Sequence, residues 1–264
     1  MSAFFADRRA GDLALALFLN AGDPSLDVLE EVVALLDARG VDCLELAVPF
    51  PGSPTDGPVI RRSAARALAA GVDLASTLTF VEAVRPRLER LRIALLADWR
   101  HTVKPVGVDV FLGRVREAGV EGLLVHGIPP RARPAYFEAA AELDVALVTT
   151  CYAGSPPTVV DEAARHARAY VYLVAHYGRS GSVPAPDAEA LAPLIQELRR
   201  RTQAPVAVGF GVRERSDLDR LRAIGADAAI VGSACVSCAE AAQAEGKPVV
   251  DALDAFLTRL GRPD

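Results

Sequence analysis

Residues 14–48, ALALFLNAGDPSLDVLEEVVALLDARGVDCLELAV, contain two short apolar runs on either side of an amphipathic stretch. The runs at 14–19 and 42–48 are nearly continuous rather than alternating, which is typical of strands buried on both faces of a sheet. Between them, apolar residues recur at positions 29, 32, 33 and 36, the spacing of one helix face. The stretch therefore predicts a strand–helix–strand unit whose two strands are parallel.

The same alternation continues along the chain. Asp23-Pro24-Ser25 supplies helix-opening signals before a helix predicted over 26–39, and Gly40 supplies a closing signal, as Gly119 does for a later helix. A further helix is predicted over 187–201. Eight strand–helix units in 264 residues favour one α/β domain over 1–264, a (β/α)₈ barrel rather than an open sheet. The predicted strands are 14–19, 42–48, 93–97, 122–126, 145–149, 170–175, 206–210 and 228–231.

Composition narrows the classes of function. An apolar content of 51% excludes a disordered chain, and a net charge of −5 without a basic block argues against a nucleic-acid partner. No apolar run approaches the roughly 18–20 residues of a membrane span. The first residues lack the charge–apolar–small order of a secretory signal. We therefore expect a cytoplasmic protein with neither a membrane nor a nucleic-acid partner.

Cysteine and histidine give weak signals for a metal. The four cysteines are scattered, and Cys235-x-x-Cys238 is the one pair with metal or redox spacing. It lacks a second pair, so we expect both thiols to be packing residues on a helix. The four histidines show no spacing typical of metal ligands. The sequence therefore predicts no metal site.

Glu45 is a carboxylate in the middle of an apolar strand. Side chains alternate along a strand, so Glu45 shares a face with Cys43 and Ala47, which are small enough to leave room for a ligand. Burial raises the pKa of a carboxyl group, which suits a general acid or base near neutral pH. The alternative is a structural glutamate paired with an arginine on a neighbouring strand.

Asp56 lies on the loop that follows the same strand. Proline and glycine on both sides, at 54–58, predict an ordered, turn-rich loop. Such a loop can fold back over the barrel mouth and bring Asp56 to the same substrate as Glu45; the alternative is a turn aspartate that binds its own backbone. Tyr170 and Tyr172 share one face of the sixth predicted strand, so a phenol there can hydrogen-bond Glu45 or the substrate.

Glycine turns follow the last three predicted strands. Glycine lets the backbone approach an anion closely, and successive N–H groups form an anion-binding nest. Barrels of this type often bind phosphate after strands seven and eight, and the helix that follows Ser233 adds its N-terminal dipole. The turns at 178–181, 209–211 and 232–233 therefore predict a phosphate site; the alternative is ordinary turn chemistry.

Several motifs, in order along the whole chain, resemble the tryptophan synthase alpha subunit family. They are FLNAGDP at 18–24, LELAVPF at 44–50 with DGP at 56–58, YVYL at 170–173, GFGV at 209–212 and GSA at 232–234. The resemblance implies a barrel that splits indole-3-glycerol phosphate into indole and glyceraldehyde 3-phosphate by a retro-aldol reaction without a cofactor.

The matching motifs assign the family's functional roles to particular residues of this sequence. The resemblance implies that Glu45 and Asp56 are the catalytic pair and that Tyr172 is the tyrosine beside them. It also implies that Phe18 and Phe210 form the apolar pocket around the indole ring. The glycine turns match the family's phosphate-binding positions, which are Gly181, Gly211, Gly232 and Ser233.

The chain departs from the family pattern at the rim loops, at 52–53 (GS), 98–100 (DWR), Gly127 and 176–181 (HYGRSG). The family uses these loops to dock a pyridoxal-phosphate-dependent beta subunit. The departures imply a weaker dependence on such a partner, or a partner or substrate that has also changed.

Other functions stay open at this point. One is another phosphate-binding barrel lyase or isomerase that acts on a related or modified substrate. Among these, a Schiff-base aldolase is disfavoured, because neither Lys104 nor Lys247 lies at a predicted strand end. Another is a non-catalytic activating partner, although loss of Glu45 or Asp56 is then expected and both are present.

Overall fold

The computed structural model describes residues 4–5, 12–175 and 188–261. The strands of these residues form one parallel sheet in the order β4-β3-β2-β1-β8-β7-β6-β5. They are β1 (Ala14–Asn20), β2 (Cys43–Ala47), β3 (Arg92–Asp98), β4 (Gly122–His126), β5 (Thr149–Tyr152), β6 (Val171–Val174), β7 (Val206–Gly209) and β8 (Ala228–Val231).

The two ends of this sheet meet at β4. Leu123 pairs with Leu147, just before β5, in a single parallel bridge. The N–H of Leu123 donates to the carbonyl of Ala146 over 2.9 Å, and the N–H of Val148 donates to the carbonyl of Leu123 over 2.8 Å. These bonds bring the eight strands into a nearly closed barrel, which confirms the predicted (β/α)₈ fold.

Helices lie between the strands, as the alternation predicts. A π-helical turn, Trp99–Val103, follows β3 directly, and short 3₁₀ turns precede α6 and α8. The helices of the described residues are α1 (Leu26–Ala38), α2 (Pro58–Ala69), α3 (Leu74–Val84), α4 (Lys104–Val106), α5 (Val108–Glu117), α6 (Arg133–Glu142), α7 (Pro157–His166), α8 (Ala192–Arg201), α9 (Arg215–Ala223), α10 (Ser233–Ala244) and α11 (Val249–Arg259).

None of these helices is by itself long and apolar enough to cross a membrane. The segments Pro58–Ala69 and Leu74–Arg87 reach that length and composition only together, and the chain bends by 93° between them.

Seven of the predicted strands agree with the observed ones to within one residue at each end, but the fifth strand is displaced. The prediction of 145–149 was wrong, because these residues approach β4 only through the bridge at Leu147, and strand pairing with β6 begins at Thr149. Apolar composition marks burial, whereas a strand also needs a hydrogen-bonded neighbour. The helix predicted from 187 begins as a 3₁₀ turn at Ala188–Leu191, and residue 187 lies outside the described residues.

Strand register fixes which side chains face the barrel interior. Partners across parallel strands point to the same face. Phe18 pairs with Glu45, Glu45 with Ala94 and Ala94 with Gly122, so these four residues form one interior layer. The room at Gly122 is occupied, since a Cβ there would lie 3.1 Å from the ring of Phe4 and 3.3 Å from Ala169.

An ion-pair network ties α2 to both of its neighbours. Arg66 donates to both carboxylate oxygens of Asp23, over 2.9 and 2.7 Å, and to Glu240 over 2.7 Å. Arg62 donates to both oxygens of the same Glu240. Asp23 lies in the β1–α1 turn and is only 3% exposed, so its charge depends on Arg66 for compensation.

Replacing Arg66 with methionine should therefore destabilise the fold. The side-chain stem is kept, but Asp23 keeps a buried charge without its cation, so we expect the free energy of unfolding to fall by at least about 2 kcal/mol. Urea denaturation at pH 7 measures this loss. Arg62→Met is the matched control, since Arg62 is 55% exposed and contacts only Glu240 in the network, and should cost less than about 1 kcal/mol. Equal losses in the two variants would contradict the account.

Candidate active site

Glu45 lies inside the barrel, on β2, with 1% of its side chain exposed. The hydroxyl of Tyr170, which directly precedes β6, donates a hydrogen bond to Glu45 Oε1 over 2.6 Å. Among the residues that the structure describes, no arginine or lysine forms an ion pair with Glu45. The contacts therefore do not support the alternative of a structural glutamate paired with arginine.

Burial controls the protonation of Glu45. Removing the carboxyl group from water raises its pKa to about 7, although the hydrogen bond from Tyr170 opposes the rise. A carboxyl group with this pKa exists in both protonated and ionised forms near neutral pH. It can therefore donate a proton and take one back during the same reaction.

The tyrosine that contacts Glu45 rests on two aromatic rings near the start of the chain. The ring centroids of Phe4 and Phe5 lie 5.3 and 5.4 Å from that of Tyr170. Burial also raises the pKa of Tyr170, so its hydroxyl keeps its proton and acts as a donor. Sequence reasoning placed Tyr170 on the right face but did not assign it to the site, and it missed the two phenylalanines because no local pattern relates them to β6.

Tyr172 lies farther along the same face and is half-buried. Burial raises its pKa, and the charges of Glu45 and Asp56 raise it further, which puts both carboxyl groups within electrostatic reach of the phenol. The ring passes close to the backbone of Gly209. A Cβ atom at that position would lie only 2.7 Å from the Tyr172 hydroxyl oxygen, so glycine is required for this ring position.

Asp56 is half-buried on the loop between β2 and α2. Its N–H donates to Ser53 Oγ over 3.3 Å, and Arg61 Nε donates to the Ser53 carbonyl over 2.8 Å. The Asp56 charge acts on the pKa of Tyr172 and of His126, the last residue of β4. The structure thus brings Glu45, Asp56 and Tyr172 to one end of the barrel.

His126 is a residue of this group that sequence reasoning did not assign to the site. Burial lowers the pKa of its imidazole, while the charges of Asp56 and Asp98 oppose that change. Its signal was its position at the end of the fourth predicted strand, where residues of a barrel face the mouth.

Two of the three predicted glycine turns lie within the described residues. Gly211 follows β7 and has a φ of +73°, a conformation that favours glycine. Gly232 directly precedes α10, whose first residue is Ser233. Gly181 lies outside the described residues.

The two phenylalanines expected around an indole ring are both buried. Phe18 is 8% exposed and lies on β1, and Phe210 is 6% exposed and directly follows β7. A Cβ at Gly232 would lie 3.9 Å from Phe18 Cβ, so the apolar residues and the β8–α10 turn are neighbours.

The Cys235/Cys238 pair and the two lysines lie outside this group. Cys235 is buried within α10, and Cys238 donates to the carbonyl of Ala252 over 3.3 Å. Burial raises the pKa of both thiols, which fits packing residues. Lys104 begins α4 and Lys247 pairs with Glu245, so neither lysine lies at a strand end. Within the described part of the chain, no three His, Cys, Asp or Glu side chains gather to hold a metal ion.

The sequence of this chain is similar to those of tryptophan synthase alpha chains. The family model for the tryptophan synthase alpha chain matches residues 4–261. The tryptophan synthase alpha chain of a Synechocystis species is 36% identical over 97% of this chain and 96% of its own length. That of Rippkaea orientalis is 35% identical over 98% of this chain and 95% of its own length.

Solved structures agree with the sequence relatives. A chain of Mycobacterium tuberculosis tryptophan synthase superposes with a TM-score of 0.83 at 27% identity, over 99% of this chain and 97% of that chain. A mutant alpha subunit from Pyrococcus furiosus gives 0.81 at 27% identity, over 94% of this chain and 97% of that chain. With the barrel, the buried carboxyl group and the family match in agreement, this chain belongs to the tryptophan synthase alpha chain family.

Proposed function

We propose that Glu45 and Asp56 of this protein cleave indole-3-glycerol phosphate into indole and glyceraldehyde 3-phosphate. This cleavage is the role of the family to which the chain belongs, and the enzymes of the family are lyases. The observation that carries the assignment to residues is the buried carboxyl group of Glu45, with a pKa of about 7 and a hydrogen bond from Tyr170. The alternatives of another barrel lyase or isomerase, or of a non-catalytic partner, are not favoured.

Glu45 supplies the proton that breaks the carbon–carbon bond. Protonation of the indole ring at C3 makes the ring an electron sink, and the bond from C3 to the glycerol chain then breaks. The hydroxyl group on the glycerol carbon loses its proton as the aldehyde forms. Glu45 gives one proton to C3 and can recover one from this hydroxyl, so it ends the cycle protonated as it began.

Asp56 accepts a hydrogen bond from the indole N–H. Positive charge develops on this nitrogen when C3 is protonated, and an ionised carboxylate stabilises that charge more in the transition state than in the substrate. Tyr172, within electrostatic reach of both carboxyl groups, completes this catalytic group and borders the reacting atoms.

The other end of the substrate binds at the glycine turns. Gly211, Gly232 and Ser233, together with Gly181, offer backbone N–H groups to the phosphate, and the N-terminus of α10 adds its dipole. Phe18 and Phe210 pack against the indole ring. Holding both non-reacting ends supplies the positioning that the bond cleavage needs.

We also infer a partner for the protein. Members of this family normally pair with a beta subunit, and tryptophan synthase of M. tuberculosis is among the similar structures. The proposed partner is thus a pyridoxal-phosphate-dependent beta subunit. We also infer that residues 1–264 form a single domain and that the protein acts in the cytoplasm. Dependence on the beta subunit should be weak, because the loop that carries Asp56 is held by Ser53 and Arg61 of its own chain.

Replacing Glu45 with glutamine should abolish cleavage and keep the fold. The amide still accepts the hydrogen bond from Tyr170, but it cannot protonate C3, so we expect turnover to fall by at least about 10³-fold. Indole release from indole-3-glycerol phosphate measures turnover. Near-normal turnover would remove Glu45 from the mechanism.

Glu45→Gln should lose activity but gain stability relative to the natural protein as the pH rises. The pKa of Glu45 rises from 4.5 when unfolded to about 7 when folded, so its favourable contribution is complete below 4.5 and is lost as pH rises through 7. The free energy of unfolding of Glu45→Gln should therefore exceed that of the natural protein by about 3 kcal/mol more at pH 8 than at pH 4.5. A difference that does not change with pH would contradict the raised pKa.

Replacing Gly211 with alanine should weaken substrate binding. The Cβ strains the turn that faces the phosphate, because the backbone φ is +73° there, and we expect KM to rise about ten-fold with a smaller change in kcat. Gly225→Ala is the matched control: its φ is +83°, and its Cβ also meets nothing within 4 Å. If both variants raise KM equally, the effect is general strain and the phosphate assignment is wrong.

Adding a beta subunit should change turnover only modestly. The β2–α2 loop already carries internal hydrogen bonds, so partner docking has less ordering to supply. We expect an increase of less than about ten-fold when excess beta subunit is added to the isolated protein. A larger increase together with a stable complex would show that partner docking still controls the active site.

A further inference from the structure

Phe50, His101 and Asp98, from two rim segments, form a cluster beside the barrel mouth. The rings of Phe50 and His101 lie with their centroids 5.7 Å apart and their planes inclined by 22°, an offset-stacked arrangement. The imidazole Nδ1 of His101 lies 2.7 Å from Asp98 Oδ1. Phe50 belongs to the β2–α2 loop, whereas Asp98 ends β3, so the cluster joins the loop to the neighbouring strand.

The π-helical turn Trp99–Val103 fixes the histidine in this place. Asp98 caps the turn and accepts the backbone N–H of His101 over 2.8 Å as well as the Nδ1 contact. An ionised carboxylate only accepts hydrogen bonds, so Nδ1 carries the proton and donates it. Asp98 thereby holds His101 at both its backbone and its ring, and the ring stacks on Phe50.

The loop that Phe50 opens also carries Asp56. In the middle of this loop, the hydroxyl of buried Ser53 accepts a hydrogen bond from the N–H of Asp56, and the Ser53 carbonyl accepts one from Arg61 of α2. The loop is therefore anchored twice, to α2 through Ser53 and to β3 through His101. Releasing the second anchor removes the side-chain contact at Phe50, while the backbone N–H of Val48 still donates to the carbonyl of Leu96 in β3 over 2.8 Å.

We propose that His101 is a positioning residue, which by stacking on Phe50 holds the β2–α2 loop so that Asp56 stays in place for the reaction. The proposal rests on the function proposed above for Asp56. His101 does not touch the reacting atoms; it acts through the loop.

The test compares two variants of His101 in the full chain. His101→Ala removes the ring and should lower kcat about ten-fold with KM within about two-fold, because Asp56 acts on charge that develops in the transition state. His101→Phe keeps a ring to stack on Phe50 and should recover kcat to within about three-fold of the natural protein. Natural kcat in His101→Ala would overturn the proposal.

Two further readouts separate positioning from general damage. Trp99, the single tryptophan of the chain, lies in the same turn, so acrylamide should quench its fluorescence more in His101→Ala than in the natural protein. His166→Ala is the matched control, since His166 stacks on Phe137 at 3.9 Å on helices away from the β2–α2 loop. It should leave kcat and Trp99 quenching unchanged; a matching drop in kcat there would overturn the proposal.

A double-mutant cycle with Asp56→Asn shows whether His101 acts through Asp56. In the Asp56→Asn background, His101→Ala should cause no further loss of kcat. Losses that multiply in the double variant would overturn the proposal and leave the role of Asp56 intact. Natural kcat in Asp56→Asn would instead refute the proposed role of Asp56, and the inference with it.

Discussion

One carboxyl group is buried inside the barrel next to a phenol and forms no ion pair with an arginine or lysine of the described residues, and this burial sets the protonation of the proposed catalytic group. Desolvation favours the protonated form of Glu45, and the hydrogen bond from Tyr170 limits how far the pKa rises. The two effects leave the group near neutrality, where it can both give and take a proton. An arginine at the same place would compensate the charge and lower the pKa of Glu45, so the proposed proton donor would be lost.

Several distant parts of the chain maintain this environment. Phe4 and Phe5 pack against Tyr170, and the strand register puts Glu45 between Phe18 of β1 and Ala94 of β3. The fold thus keeps the carboxyl group of Glu45 in its interior, although ionisation of this group lowers the stability of the folded protein. Elsewhere the protein compensates a buried charge directly: Arg66, on helix α2, binds the buried carboxylate of Asp23.

Sequence patterns predicted the features that depend on local chemistry. Glycine after a helix, as at Gly40 with a φ of +63°, and an isolated carboxylate on an apolar strand are both visible within a few residues. The start of β5 was not predictable, because pairing with β6 decides it. The shared face of Tyr170 and Tyr172 predicted that a phenol could reach Glu45, but which of the two does so, across 125 residues of chain, was not predictable, and neither was the stack of Phe50 on His101. Such contacts depend on how the barrel closes, which no local pattern contains.

The pKa of Glu45 tests the central claim most directly. Carbon-13 labelling of glutamate side chains, with Glu45→Gln to assign the signal, allows its carboxyl resonance to be followed by NMR from pH 4 to pH 9. We predict a midpoint of about 7 for this resonance in the folded protein. A midpoint near the ordinary value of 4.5 would show that the interior of the barrel does not keep Glu45 protonated, and would contradict its role as the proton donor.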